Sequence, residues 1–198
     1  MREKGMGRAR LGRFAAVTVP AAAVSVGLGY AVLTGMVSAQ LTSANGFTLS
    51  SDKIAADALK VRPGTAPDAA GGATVYAETT KATADGLDVV TNPVDLGVFG
   101  CYGLKIGSTT QGIDLGDVAL NAKTLTTPTG ATLADVTLGQ DEGTIGFKDT
   151  TGAGYNADGT GLQSGAASLP DVTAKAYAVS LDGLAVDNLS LGVESGTC

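Results

Sequence analysis

The sequence predicts an all-β domain behind an apolar N-terminal segment, and three observations carry that prediction. Beyond residue 40 no helical periodicity of any length appears. Short Val/Leu/Thr runs are instead broken by Gly, Asp-Gly, Asn-Pro and Thr-Pro, the pattern of strands and turns. The third observation is a six-residue pattern, apolar-x-[Asp/Asn/Gly]-apolar-x-apolar, that recurs six times.

The chain opens with a basic block, residues 1–13, in which Arg2, Lys4, Arg8, Arg10 and Arg13 face one acid, Glu3. Such a block favours a cytoplasmic N-terminus. Residues 14–39 follow, uncharged and apolar. A helix of roughly 20 residues spans a bilayer core, whereas a signal-peptide core has about 7–15, so length favours a retained transmembrane anchor. Val37 and Ala39 also fit the −3 and −1 positions of a cleavage site, which makes a signal peptide cut after Ala39 the alternative. Either reading exports residues 40–198 as an extracytoplasmic all-β domain, membrane-anchored in the first case and secreted in the second.

From Gln40 onward the chain carries 8 Lys+Arg and 18 Asp+Glu. A surface so acidic repels phosphate, so nucleic acid is excluded as a partner. The expected partners are the membrane, through residues 14–39 if uncleaved, and an envelope protein or a further copy of the chain. Large aromatics are few, and Ala, Val and Leu supply the core.

The six copies are "ADGLDV" (84–89), "CYGLKI" (101–106), "LGDVAL" (115–120), "LADVTL" (133–138), "LPDVTA" (169–174) and "VDNLSL" (186–191). A plain strand places apolar residues at every second position. Here they fall at i, i+3 and i+5, so alternation slips once per copy. The slip coincides with Gly86, Gly103, Asp117, Asp135, Asp171 and Asn188, residue types that most readily take the left-handed conformation. A corner or bulge there returns all three apolar residues to the inside. The copies start 17, 14, 18, 36 and 17 residues apart, and 36 is two periods of 18. That regularity favours a β-solenoid. The alternative is an antiparallel β-sandwich, in which residues 172–193 form a hairpin around Asp182-Gly183. "SDKIAADALKV" (51–61) reads as a helical turn or two, and the stretches 61–73 and 150–168 read as glycine-rich loops outside the core.

The chain has no histidine, which removes Ser-His-Asp and Cys-His catalysis and every histidine metal site. No G-x-S-x-G elbow occurs. Asp141, Glu142, Asp149, Asn156 and Asp158 are the candidate cation ligands, but Gly154 breaks the calcium-loop spacing, and solvated acids beside turns fit better. No catalytic residue, metal or cofactor is expected, and the protein reads as no enzyme.

Cys101 and Cys198 are the only cysteines, and in an exported chain two cysteines pair. A solenoid opposes that pairing. Copies at 101 and 186 lie about five coils, or ~24 Å, apart. The tail beyond Val193 reaches at most about 17 Å, and a disulfide adds only about 5.5 Å. A sandwich accommodates the bond easily.

The Arg-Phe-Ala start, the Val-Pro within the apolar run, the stretch from Phe47 to Leu59 and the tail ending in Cys198 together resemble exported actinobacterial proteins of unknown function often labelled "cholesterol esterase". The likeness is best over the first sixty residues and implies an envelope location. The label implies a serine hydrolase, from which this chain departs by lacking both histidine and elbow. Two functions follow: a non-catalytic structural or interaction protein of the cell envelope, or a binding protein for an apolar small molecule or lipid. A continuous internal cavity of a few hundred Å3 distinguishes the second.

Overall fold

The computed structural model describes residues 37–66, 72–95, 97–152 and 154–197. Residues 1–13, most of the apolar run 14–39, and Cys198 lie outside the described residues. Strands β1 (Val37–Ala56), β2 (Ala58–Thr65), β3 (Ala73–Asp85), β4 (Leu87–Thr91) and β5 (Val94–Asp95) are followed by a 3-10 turn, Gly97–Phe99. Then come β6 (Cys101–Ser108), β7 (Ile113–Thr126), β8 (Thr132–Leu133), β9 (Thr137–Asp141) and a single helical turn, α1 (Glu142–Ile145). Strands β10 (Thr160–Ser164), β11 (Ala167–Leu184) and β12 (Ser190–Gly196) complete the chain.

All twelve strands belong to one sheet, in the order β12-β6-β4-β1-β11-β7-β3-β2-β10-β9, with β5 on β6 and β8 on β11. Every pairing is antiparallel. The all-β class is therefore correct, and the solenoid is not, because stacked coils pair in parallel. Nor are there two separate sheets. A further pairing of Lys53–Ala55 with Thr83–Asp85 turns the single sheet back on itself. The near-constant spacing does not reflect a structural period: the strands run from 2 to 20 residues, and the copies fall in strands, at strand ends and in connections alike.

The largest of three buried clusters among the described residues lies inside that curl. Phe47 and Leu49 of β1, Leu87 and Val89 of β4, Ile113, Leu115 and Leu120 of β7, and Ala174, Ala176 and Val179 of β11 are buried together, with Ala82 and Ala84 of β3 filling between them. Small residues suit it because the curled sheet brings its strands close.

One of the slips, at Gly116 and Asp117, belongs to a row of left-handed residues that crosses the sheet. Lys81 of β3 has φ 49°, Gly116 of β7 has φ 62° and Gly183 of β11 has φ 108°. In the ladders Ala82 meets Gly116 and Asp117 meets Asp182, while the Asp57 N–H donates to the Thr80 carbonyl at 3.1 Å. A seam thus crosses four neighbouring strands where each gains a residue. A Cβ on Gly116 would collide with the Asp182 carbonyl, so glycine is obligatory there.

The seam corrects two expectations. Asp182-Gly183 forms no hairpin, because β11 runs straight through it while pairing with β1 and β7. Residues 51–61 are not helical; they are the end of β1, a kink at Asp57 and the start of β2. Pairing with β3 on both sides of the kink overrides the helix-forming Ala and Lys content. The glycine-rich stretches also contribute more than loops: 61–73 holds half of β2, and 150–168 holds β10 and the first residues of β11.

Candidate interaction surface

The predicted corner residues separate into groups. Gly86, Asp135, Asp171 and Asn188 stand at positive φ, of 62°, 51°, 49° and 57°. At the third copy the left-handed residue is Gly116, beside Asp117. Gly103 is not left-handed; it is needed because a Cβ would come within 2.5 Å of the Thr91 carbonyl oxygen. Three copies deliver their apolar residues inward: Ala84, Leu87 and Val89; Leu115, Val118 and Leu120; Leu169, Val172 and Ala174. Lys81 makes an equivalent slip between Thr79 and Ala82 that the pattern missed, because lysine is no turn residue.

Gly86, Asp171 and Asn188 meet at a polar groove of about 630 Å3 between β1, β4, β6 and β11. A second groove, of about 650 Å3, follows the seam. There the Lys148 ammonium holds Asp117, and the Lys81 N–H donates to the same carboxylate. The hydrogen bond from Lys148 is the main reason that the Asp117 carboxyl titrates below its ordinary range, and it raises Lys148 in turn.

Sequence reasoning overlooked Arg62. Its side chain is fully buried, 3.9 Å by Nε from Glu142, itself 3 % exposed, with the guanidinium 4.1 Å from the Tyr76 ring and 5.3 Å and 5.6 Å from Phe147 and Tyr155. Glu78, also buried, accepts bonds from the Tyr76 hydroxyl and the backbone N–H groups of Lys148 and Asp149. Burial, then the Glu78 charge, pushes the Tyr76 hydroxyl far above its usual pKa. This cluster pins residues 142–159 to β2 and β3. It also accounts for candidate cation ligands. Glu142 faces Arg62 and accepts from the Asn156 N–H, and Asp149 accepts from the Thr151 and Gly152 N–H groups. Among the described residues no group of three or more ligating side chains gathers.

Among the described residues a small apolar gap of about 70 Å3 lies between Leu49, Leu87, Leu115, Val118, Leu120 and Val179. No described helix is long and apolar enough to cross a membrane.

The most unusual surface is a flap made of β5, β6 and β12. The core face continues from Val89 across Ile106 to Leu191, because these residues sit opposite one another in adjacent ladders. Beyond β4 nothing described covers it. Leu191 is 67 % exposed and Val193 72 %, with Val94, Tyr102 and Leu104 exposed alongside and Val98 at 96 % in the neighbouring turn. Six of the eight exposed large apolar side chains among the described residues lie here. Contiguous apolar exposure of this extent is uncommon on a protein surface and makes the flap the candidate surface. Cys101 lies on the same strands, with Gly196 directly opposite it in the ladder.

The chain belongs to a family of unknown function, DUF6230, whose family model matches residues 42–198. No curated protein and no solved structure matches it.

Proposed function

We propose that this member of the family is a non-catalytic structural or interaction protein of the cell envelope, held outside the membrane by residues 14–39. The observation that supports it best is the exposed apolar flap beside a core that is nearly full. A gap of about 70 Å3 is far below the few hundred Å3 that a lipid or drug-sized ligand needs. That argues against the binding-protein alternative. The exported location rests on the basic block, the apolar run and the likeness to exported actinobacterial proteins. Secretion after cleavage at Ala39 is the alternative, although β1 begins at Val37 and a cut there would remove its first three residues.

A Cys101–Cys198 disulfide belongs to this reading. Gly196 lies opposite Cys101, so only one residue, Thr197, separates the paired tail from Cys198. The distance that made the bond awkward in a solenoid does not arise in an antiparallel sheet.

The test is a turnover and ligand assay on the purified full chain in detergent. Acyl esters should be hydrolysed at background rates, and mass analysis should find no stoichiometric apolar molecule. Robust turnover abolished by mutating one serine, or a bound lipid at one per chain, would overturn the proposal.

A further inference from the structure

The flap ends at β12, and β12 ends the sheet. It pairs with β6 alone among the described strands, and all seven of its residues are exposed. Its outer edge therefore presents a row of backbone N–H and C=O groups without a strand to receive them. Natural edge strands are protected by bulges, Pro, Lys or brevity. The opposite edge of this sheet, β9, has such protection: Gly139 is left-handed at φ 79°, and the ladder from β10 to β9 slips between Gly161 and Leu162. β12 has none of it. Its sequence, "SLGVESG", holds neither Lys nor Pro, no residue in it has positive φ, and its ladder to β6 is unbroken over seven pairs.

The strand is also self-complementary. If it meets a second copy of itself antiparallel about a two-fold axis at Gly192, Leu191 faces Val193 of the other copy, twice. Both pairs lie on the apolar face of the flap, where direct cross-strand apolar pairs stabilise a sheet. Glu194, the one charged residue of the strand, then faces a serine hydroxyl, Ser190, and not another carboxylate. Centring the axis on Glu194 would oppose two like charges. A membrane surface is the competing occupant, and the charges disfavour it. Those of the flap strands are Asp95, Glu194 and Lys105, and Lys105 is bonded to Asp88 at 2.9 Å, which leaves no cation for an anionic headgroup.

We propose that the protein is a homodimer joined by antiparallel pairing of β12 with β12 of a second copy, about a two-fold axis at Gly192. The proposal rests on the interaction reading above and names the partner in it. A symmetric contact of this type closes on itself, so it yields dimers and not filaments. Because each copy is acidic, added salt should strengthen the association.

The experiment uses the full chain in detergent. Sedimentation should give a dimer at micromolar concentration, with tighter association at higher salt. Leu191→Lys with Val193→Lys changes two exposed side chains and places like charges across the axis. It should weaken the dimer by at least about tenfold, with the circular dichroism spectrum unchanged. Gly192→Cys fits because nothing lies within 4 Å of a Cβ built there, and it should cross-link two copies through residue 192 on mild oxidation. Leu138→Cys, on the β9 edge, should not. A monomeric wild type, a dimer indifferent to the double lysine variant, or equal cross-linking at both edges would overturn the proposal. So would a double variant that stays dimeric and loses only its binding to neutral phosphatidylcholine vesicles, which would make the flap a membrane surface. A monomer without ester turnover or bound lipid removes the dimer alone. Turnover or bound lipid removes the broader reading whatever the oligomeric state.

Discussion

The guanidinium carbon of Arg62 lies 4.1 Å above the ring of Tyr76, and both side chains are buried. Planar stacking of this kind, with Phe147 and Tyr155 completing the cage, is a geometry that arginine can adopt and lysine cannot. Arg62→Met should keep the volume but leave the Glu142 carboxylate buried without its cation. Loss of one partner of a buried pair costs about 3–5 kcal/mol. Urea unfolding should show a loss in that range, partly recovered by adding Glu142→Gln. A loss below about 1 kcal/mol would show that the cage is not what holds residues 142–159 in place.

Thr79 lines the apolar gap, and its buried hydroxyl has no hydrogen-bond partner. Valine has the same shape without the hydroxyl. Thr79→Val should therefore stabilise the protein by about 1 kcal/mol, read as a shift in the urea midpoint at constant slope. Destabilisation would mean that the hydroxyl is satisfied by water.

Lys81 and Gly116 occupy the seam with opposite tolerance. An L-residue in the left-handed region carries roughly 1–2 kcal/mol of strain, so Lys81→Gly should be neutral or stabilising by up to about 1 kcal/mol. Gly116→Ala drives a Cβ into the Asp182 carbonyl and should cost more than about 3 kcal/mol or prevent folding. Thermal melts of the two variants should move apart in that order.

The pH dependence follows from Asp117, Asp149 and Lys148. Hydrogen bonds hold both carboxyls below their ordinary value of 3.8, so the unfolded chain binds more protons at low pH. Their contribution is present above about pH 4 and is lost as pH falls through the depressed folded values. Lys148 is raised above 10.5, so its contribution is full below that value and disappears as pH climbs through the folded one. With no histidine, no side chain with an ordinary pKa titrates between about pH 5 and 8, and stability should be flat there. Asp117→Asn should shallow the acid limb. A sharp transition near pH 6 would contradict this account.

How much of this was legible in the sequence depends on the residue. The slipped pattern pointed to bulges because Gly86, Asp171 and Asn188 are of types that take positive φ cheaply, and Leu169, Val172 and Ala174 are buried together around one of them. It misled on architecture, because residues that take positive φ serve turns, bends and bulges alike, and their spacing does not say whether neighbouring strands run parallel. Lys81 was invisible because its conformation is imposed by the strands around it. Arg62 was invisible for a related reason. Tyr76 of β3 and Glu142, Phe147 and Tyr155 of the segment after β9 must converge on it before an arginine in a Pro-Gly context becomes a core residue. The flap could be guessed only in part: Leu191 and Val193 look like core in any alternating reading, and only the order of strands leaves them outside.

The longest ladder in the sheet joins β1 to β11, from Val37 opposite Leu184 to Ala56 opposite Ala167. The first strand thus waits for nearly the last. At synthesis rates of about 5–20 residues per second, β1 emerges on the order of ten seconds before its partner. During that interval the chain cannot complete its core, although β2 can already pair with β3 and β4 with β1 and β6. Completion of the core then becomes an event of the nearly whole chain, slowed by the long loop between β1 and β11 that must close. A sheet wired in this way is poorly suited to folding during synthesis and well suited to passage through a narrow pore before it folds.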